Sequence, residues 1–391
     1  MTENEVLDLK LSAHLLRLML DEKIAFERKK GKMDYLIRVG ADVNKKLYGK
    51  SMALWVKELG NEKLIKYVKE KGGVEFKMSK EKRDELGKQF WDKNGNKKGV
   101  KEIRELVLMG ADLSVKNNDD EQIWKNLSFD EMNEVLKDLP KGYMIEGNVD
   151  LAKKGLAELP DFSKIKVEGY FDCSSNRLKD LKGAPSKVGG SFDCSWNQLT
   201  SLEGAPSVVG GSFYCSENQL TDLKGAPRVV GESFLSSCNK LSSLIGGPIK
   251  VGGDFGVNDN KLATLKGAPE VVVRDFLCDR NMLYSLEDAP KIVGGNFWCS
   301  WNNLTSLKGA PSKVGGNFRC EGNSLVSLEG APSVVGGYFD CRKNKLISLK
   351  GKPEKLGGEI KIDEEVLRKV EKEKRSKSIL ERMFAKREEE R

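Results

Sequence analysis

Histidine is almost missing from this chain: His14 is the single one in 391 residues. One imidazole cannot complete a set of zinc sites, nor supply the paired bases of a histidine-rich centre. Cysteine occurs eight times, but no two lie closer than 21 residues, so there is no C-x-x-C pair. Disulfide frameworks and zinc knuckles are therefore not expected, nor is any cofactor. No stretch approaches 18 uninterrupted apolar residues, which leaves no candidate membrane span. The opening MTENEVLDLKLSAHLLRLMLDEK is acidic and broken by Arg17. It lacks the basic start and small-residue cleavage site of a signal peptide. These absences lead to the expectation of a cytoplasmic protein with no membrane partner.

Segregated charge is lacking as well. The net charge of +8 comes from 30 Lys/Arg against 27 Asp/Glu in residues 1–148, and 37 against 32 in the remainder. Nucleic-acid binders gather their basic residues on one face or stripe. Here both signs are interleaved, so nucleic acid is not an expected partner.

Proline is scarce, yet nine of the eleven keep a strict beat: Pro185, Pro206, Pro227, Pro248, Pro269, Pro290, Pro311, Pro332 and Pro353 are each 21 residues apart. Asparagine keeps the same beat from Asn176 to Asn344. A fixed short period without insertion or deletion means a solenoid. The stretch VDLAKKGLAELPDF at 149–162 reads as a divergent tenth unit, with Lys154 in the asparagine slot. An atypical first unit is expected where a stack must be capped.

In SFDCSWNQLTSL the alternation of Phe192, Asp193 and Cys194 predicts a short strand with Phe192 and Cys194 on one face. Leu199, Leu202 and Val209 then turn inward. The pattern F-x-C-x-x-N-x-L-x-x-L resembles the leucine-rich repeat, in its short bacterial and phage-like form, over residues 149–358. That resemblance implies a curved stack with short parallel strands on its concave face. On the opposite side, Gly-Ala-Pro corners leave no room for a helix and predict extended or polyproline-like backbone. Rungs about 4.8 Å apart would make ten units a rod on the order of 50 Å long. Each asparagine is expected to satisfy backbone groups at the turn after the strand.

Seven cysteines, Cys173, Cys194, Cys215, Cys278, Cys299, Cys320 and Cys341, share one slot, where Ser236 and Val257 stand in the middle units. Tolerance of serine and valine argues for a small buried side chain rather than a ligand. Cys238 lies off the slot and is the one thiol expected to react. Lys182, Glu203, Lys224, Ile245, Lys266, Glu287, Lys308, Glu329 and Lys350 nearly alternate in sign and are expected to pair along the stack.

The strand position between phenylalanine and cysteine points outward. It runs Asp172, Asp193, Tyr214, Leu235, Gly256, Leu277, Trp298, Arg319, Asp340, with acids at the ends and apolar or aromatic groups in the middle. Trp196, Arg280 and Trp301 occupy the loop slot before the asparagine. A solenoid needs none of these at the surface, and aromatics with arginine are what protein interfaces favour. Tyr214, Leu235, Leu277, Arg280, Trp298, Trp301, Arg319 and Trp196 are therefore the candidate partner-binding residues. Paired carboxylates such as Asp172 with Asp193, or Asp254 with Asp275, sit close merely because the rungs repeat, so no catalytic pair is expected from them, nor a metal on Asp254, Asp275 and Asp279.

Ahead of the repeats, MDYLIRVGADVN followed by ALWVKELGNEKLIKYVKEKGG, within 33–73, resembles an ankyrin repeat. A second copy begins at VKEIRELVLMGADLSVKNN, 100–118, and runs through IWKNLSFDEMNEVLKDLPKG. The ankyrin threonine-proline-leucine-histidine signature is absent, and a polar stretch at 74–98 intrudes. The GKS at 49–51 lacks its phosphate-loop glycine, since Asn44 holds that place. DKNGNKKGVKEI at 92–103 begins like a calcium loop, but Lys97 replaces its glycine and Ile103 its bidentate glutamate. From about 363 the chain is mixed-sign and helix-favouring, and Val366, Val370, Ile379 and Met383 are candidates to cover the last rung.

The expected architecture is an α+β repeat protein: a helical, ankyrin-like head at 1–148, a leucine-rich-repeat β-solenoid at 149–358 and a charged C-terminal helix or cap at 359–391. The expected function is non-enzymatic recognition of a protein partner through the concave face, in a bacterial or phage setting, binding a host or competitor protein. An adaptor in an enzymatic complex such as a ligase, and an architectural component of an assembly, are the alternatives. Secreted leucine-rich ubiquitin ligases carry a large catalytic domain after their repeats, which the short C-terminal segment does not match.

Overall fold

The computed structural model describes residues 80–369 apart from 92–95, 117–121 and four single positions, together with Leu15, Leu16, Met19, Lys30, Met33, Tyr67 and Lys372. Apart from Met33 and Tyr67, the ankyrin-like segment at 33–73 lies outside the described residues, as do His14, the GKS at 49–51, Val370, Ile379 and Met383. The chain divides into two compact units, Met1–Arg177 with Lys182–Ser191, and Leu178–Leu181 with Phe192–Arg391.

In the first unit, helices at Lys80–Gly87, Val100–Met109, Ile123–Asn126 and Phe129–Leu136 precede short strands. The helix at Phe129–Leu136 starts at a reciprocal cap, Ser128 N donating to Glu131 Oε2 at 2.8 Å and Glu131 N to Ser128 Oγ at 3.3 Å. Lys97 is engaged elsewhere than in a calcium loop: it bridges Trp91 in an antiparallel pair, and its ammonium donates to Glu131 Oε1 at 2.6 Å. Trp124, Phe162 and Phe171 form an edge-to-face run with centroids 5.3 and 5.2 Å apart. Val149–Asp150 pairs in parallel with Phe171–Asp172, so the divergent stretch at 149–162 is a rung. Lys154, in its asparagine slot, donates to Lys125 O at 2.8 Å.

The second unit is a parallel β-solenoid. Its repeats each contribute the two-residue strand foreseen at Phe192–Asp193 and at its counterparts up to Phe339–Asp340, and the ladder continues to Ile360–Lys361. Phenylalanine stands opposite phenylalanine at each step, and seven successive ring pairs from Phe192 to Phe339 stack 5.0 to 5.6 Å apart within 16° of parallel. Each such ring is fully buried, and burying it contributes about 2 kcal/mol. Leu199, Leu202, Val209 and their counterparts fill the rest of the core. A short helix at 364–369 follows, with Val366 buried.

The stretch after the proline corners is extended, as expected, but it is also paired, which was not foreseen. It carries a second parallel ladder, Val208–Val209 beside Val229–Val230 beside Lys250–Val251 and onward. Equal rung length sets each N–H under the carbonyl of its neighbour, as in Gly231 N to Val209 O at 3.0 Å and Gly315 N to Val293 O at 2.9 Å. Backbones come so close here that a Cβ on Gly231 would run into the carbonyl oxygen of Gly210. Where Val273 and Arg274 replace the usual glycines, the ladder keeps one of its usual two pairs, Val251 with Val272.

Candidate partner-binding site

Two hydrogen-bonded rows set the geometry of the exposed face. In the first, Asn218 Oδ1 accepts from Leu199 N of the preceding rung at 2.9 Å, while its Nδ2 donates to Cys194 O at 3.0 Å and Cys215 O at 3.2 Å. The same bonds recur at Asn239, Asn260, Asn281, Asn302, Asn323 and Asn344. The second row was not foreseen. Asp254, Asp275, Asn296 and Asn317 each accept from the backbone N–H of the following rung, at 3.0, 2.7, 2.8 and 2.9 Å. Asp254 and Asp275 are thereby spent on the backbone. Among the described residues no group of three or more His, Cys, Asp or Glu is placed to hold a metal ion.

The cysteines of the shared slot are free thiols with no exposed surface. Several donate weakly to the strand carbonyl of the next rung, as Cys194 Sγ does to Tyr214 O at 3.3 Å and Cys278 Sγ to Trp298 O at 3.2 Å. Burial pushes the Cys215 and Cys341 thiols up to about 12. Cys238 is exposed as expected, but its surroundings argue against the reactivity expected of it. Partial burial, then Glu217 and Asp259, push its thiol up to about 11, away from the nucleophilic thiolate.

Along the charged row beside the Gly-Ala-Pro corners, ion pairs form at several rungs. Lys350 meets Glu329 at 2.6 Å and Lys308 meets Glu287 at 4.0 Å, whereas Lys224 turns to Asp222 at 3.4 Å. All three pairs are well exposed and worth little.

The strip residues lie side by side in register: Tyr214 beside Leu235, Gly256 beside Leu277, Leu277 beside Trp298 and Trp298 beside Arg319. Each of Tyr214, Leu235, Leu277, Trp298 and Arg319 is half-buried, and a Cβ on Gly256 would meet Leu235 Cδ2 at 2.9 Å. Beyond Arg319 the strip ends on Asp340. Burial would raise its carboxyl, but Arg342, bonding through Nε at 3.0 Å and Nη2 at 2.6 Å, holds it below the usual carboxylate range.

Trp196, Arg280 and Trp301 stand in the neighbouring loop row with backbone φ of 57°, 51° and 56°. Ser175, Glu217, Cys238, Asp259 and Lys343 hold the same left-handed conformation in their rungs, and Gly322 does so with the residue type that suits it. Side chains in this row leave the turn outward: Trp196 is 61% exposed and Trp301 46%. The Trp301 ring lies over Gly322, where a Cβ would come within 2.8 Å of it, and Lys343 Nζ sits 4.9 Å from its centroid.

Strip and loop row meet at a cleft of about 290 Å³ lined by Trp298, Trp301, Arg319, Arg280, Asp279 and Ser300, together with Asn258, Asp259 and Glu321. The Arg319 guanidinium stacks over the Trp298 ring at 5.0 Å. Burial pushes the Asp279 carboxyl up to about 6, against the opposing Ser300 N–H and Arg319 charge. The structure thus brings Arg280, Trp298, Trp301 and Arg319 together and leaves Tyr214, Leu235 and Trp196 farther along the face. Ser300 and Asn258 carried no signal in the sequence beyond their places beside cysteine-slot residues.

No protein-family description matches the chain, and no curated protein matches it. Among solved structures, it is similar to YopM from Yersinia enterocolitica WA-314, with 21% identity over 55% of this chain and 55% of that one, at a TM-score of 0.35. It is also similar to YopM, described as a leucine-rich effector protein, from Yersinia pestis, with 18% identity over 54% of this chain and 66% of that one, at a TM-score of 0.37. The chain thus spans between half and two thirds of the length of these two proteins.

Proposed function

We propose that the chain is a non-enzymatic binding protein whose partner is another protein, engaged along the strip from Tyr214 to Arg319 and the loop row beside it. A single observation carries this reading. Trp196, Arg280 and Trp301 occupy left-handed positions that glycine would fill with less strain, and all three are exposed. A non-glycine residue in this conformation costs on the order of 1–2 kcal/mol, so folding does not explain large side chains there. Indole and guanidinium groups at the surface are what protein interfaces concentrate at their energetic centres.

The reading extends to the rest of the chain as follows. The ankyrin-like head is a second helical module, with the helix at Val100–Met109, the Lys116–Gln122 bridge and the helices after it following the order of such a repeat. The setting is cytoplasmic, in a bacterium or phage-infected cell.

The test is a paired capture experiment. Wild type and the double variant Leu277→Ser/Trp298→Ser, matched for melting temperature, are used as baits in the native cell extract. A protein held by wild type is expected to bind the variant at least about 30-fold more weakly, the loss expected of a disrupted hot spot. Equal retention of every captured protein by both baits would refute the strip.

A further inference from the structure

Three polar atoms belonging to residues that line the cleft are buried with no protein partner: Trp298 Nε1, Arg319 Nε and Ser300 Oγ. Ser300 is only 4% exposed. Two of these atoms can only donate, and the hydroxyl can donate or accept. Leaving such groups unmatched is costly, so three at one cleft mark a place built to meet a ligand acceptor.

The charges around them select its type. Asp259 is paired with Arg280 at 3.5 Å, and Glu321 with Arg342 at 3.5 Å. Asp279 and Arg319 remain, opposite in sign, both in the cleft lining and close enough for the Arg319 charge to act on the Asp279 carboxyl. An incoming carboxylate would meet Asp279, and an incoming cation would meet Arg319. A neutral group that both accepts and donates meets neither objection. Asp279 Oδ1 already accepts from Ser300 N at 3.0 Å, and the carboxyl accepts from its own backbone N–H as well, which still leaves lone pairs for a donor from outside. The rings of Trp298 and Trp301 supply apolar wall for a short aliphatic stem.

We propose that this cleft is the anchor pocket of the interaction face, and that it takes the side-chain carboxamide of a glutamine or asparagine presented by the partner. The carboxamide oxygen accepts from Trp298 Nε1 and Arg319 Nε, and its nitrogen donates to Asp279. Ser300 Oγ completes the ring of polar contacts. This deepens the reading of the strip as a protein-binding face and rests on it.

The test is direct and needs no knowledge of the partner. Full-length protein with nitrogen-15 in its indoles is titrated with N-acetylglutamine methylamide at pH 7.5, and the Trp298 Nε1–H resonance, assigned by its loss in Trp298→Phe, is followed. A saturable shift with a Kd of about 1 mM is expected for a probe of this size. N-acetylglutamate methylamide and N-acetylarginine methylamide are expected to bind at least about fivefold more weakly. Arg319→Lys, which keeps the charge and removes the Nε donor, and Ser300→Ala should each weaken the glutamine probe about fivefold, the loss of one hydrogen bond. The unshifted indole resonances of the tryptophans outside the cleft report that each variant is folded. Absence of a saturable shift, tighter binding of either charged probe, or indifference to both variants would overturn the pocket. If the probe fails while Leu277→Ser/Trp298→Ser still loses its partner, the carboxamide pocket falls and the strip stands.

Discussion

The backbone N–H of Leu241 donates to Oδ1 of Asn260, 19 residues on, at 2.9 Å. Asn260 Nδ2 reaches the carbonyls of Ser236 and Val257 at 3.0 and 3.1 Å, so one amide joins two rungs and is itself buried. Asn260→Ala leaves a donor and two acceptors in the core without this partner. It is expected to destabilise by about 2–4 kcal/mol. Asn260→Asp, which keeps the acceptor but supplies no donor, should not restore stability. Urea unfolding of the three proteins decides the point.

Thiol accessibility follows from the shared slot. Of the eight cysteines, the seven in that slot are buried, and Cys238 is exposed but raised to about 11. With Ellman's reagent at pH 8 the native protein should release less than one equivalent quickly, and all eight in denaturant. Fast release of several equivalents from native protein would contradict the packing.

Trp196 stands 61% exposed at a φ of 57°. Trp196→Gly removes left-handed strain but adds disorder to the unfolded chain, and the two effects nearly offset. The melting temperature should stay level or rise, while affinity for a captured partner falls. A large loss of stability would show that the indole serves the fold.

Asp279 has a folded pKa raised to about 6, mainly by burial. Between its unfolded value near 3.9 and 6 the native state holds more protons than the unfolded one, so stability falls as pH rises through that window. Asp279→Asn removes this penalty. It should stabilise the protein by on the order of 1–2 kcal/mol at pH 7.5 and have no such effect below pH 4. Denaturant midpoints of both proteins across that range measure the difference, which isolates Asp279 from the opposite dependence of Asp340.

Much of the solenoid was legible because its repeat is strict. Phe192, Cys194, Asn197, Leu199 and Leu202 each announced a role through spacing, and all are buried as read. The outward row was legible in part, since a residue between two inward-facing ones points away: Tyr214, Leu235, Leu277, Trp298 and Arg319 are half-buried, whereas Asp340, paired with Arg342, has no exposed surface. The second ladder was not. Val208 and Val209 follow a proline corner and look like connection, and only the stacking of equal rungs supplies their partners. The surroundings of Cys238 were not legible either: partial burial first, then Glu217 and Asp259 from adjacent rungs, raise its thiol.

By itself, then, the sequence determined the period, the rung, the core slots and the candidate face, because a 21-residue repeat dictates which residue of one rung lies beside which of the next. The tertiary structure alone decided the left-handed setting of Trp196, Arg280 and Trp301, the ring of Trp301 over Gly322, and the three unmatched polar atoms at the cleft. These depend on how deeply each side chain sinks between its neighbours and which partners lie within hydrogen-bond reach. Periodicity orders the rungs but leaves those distances to packing.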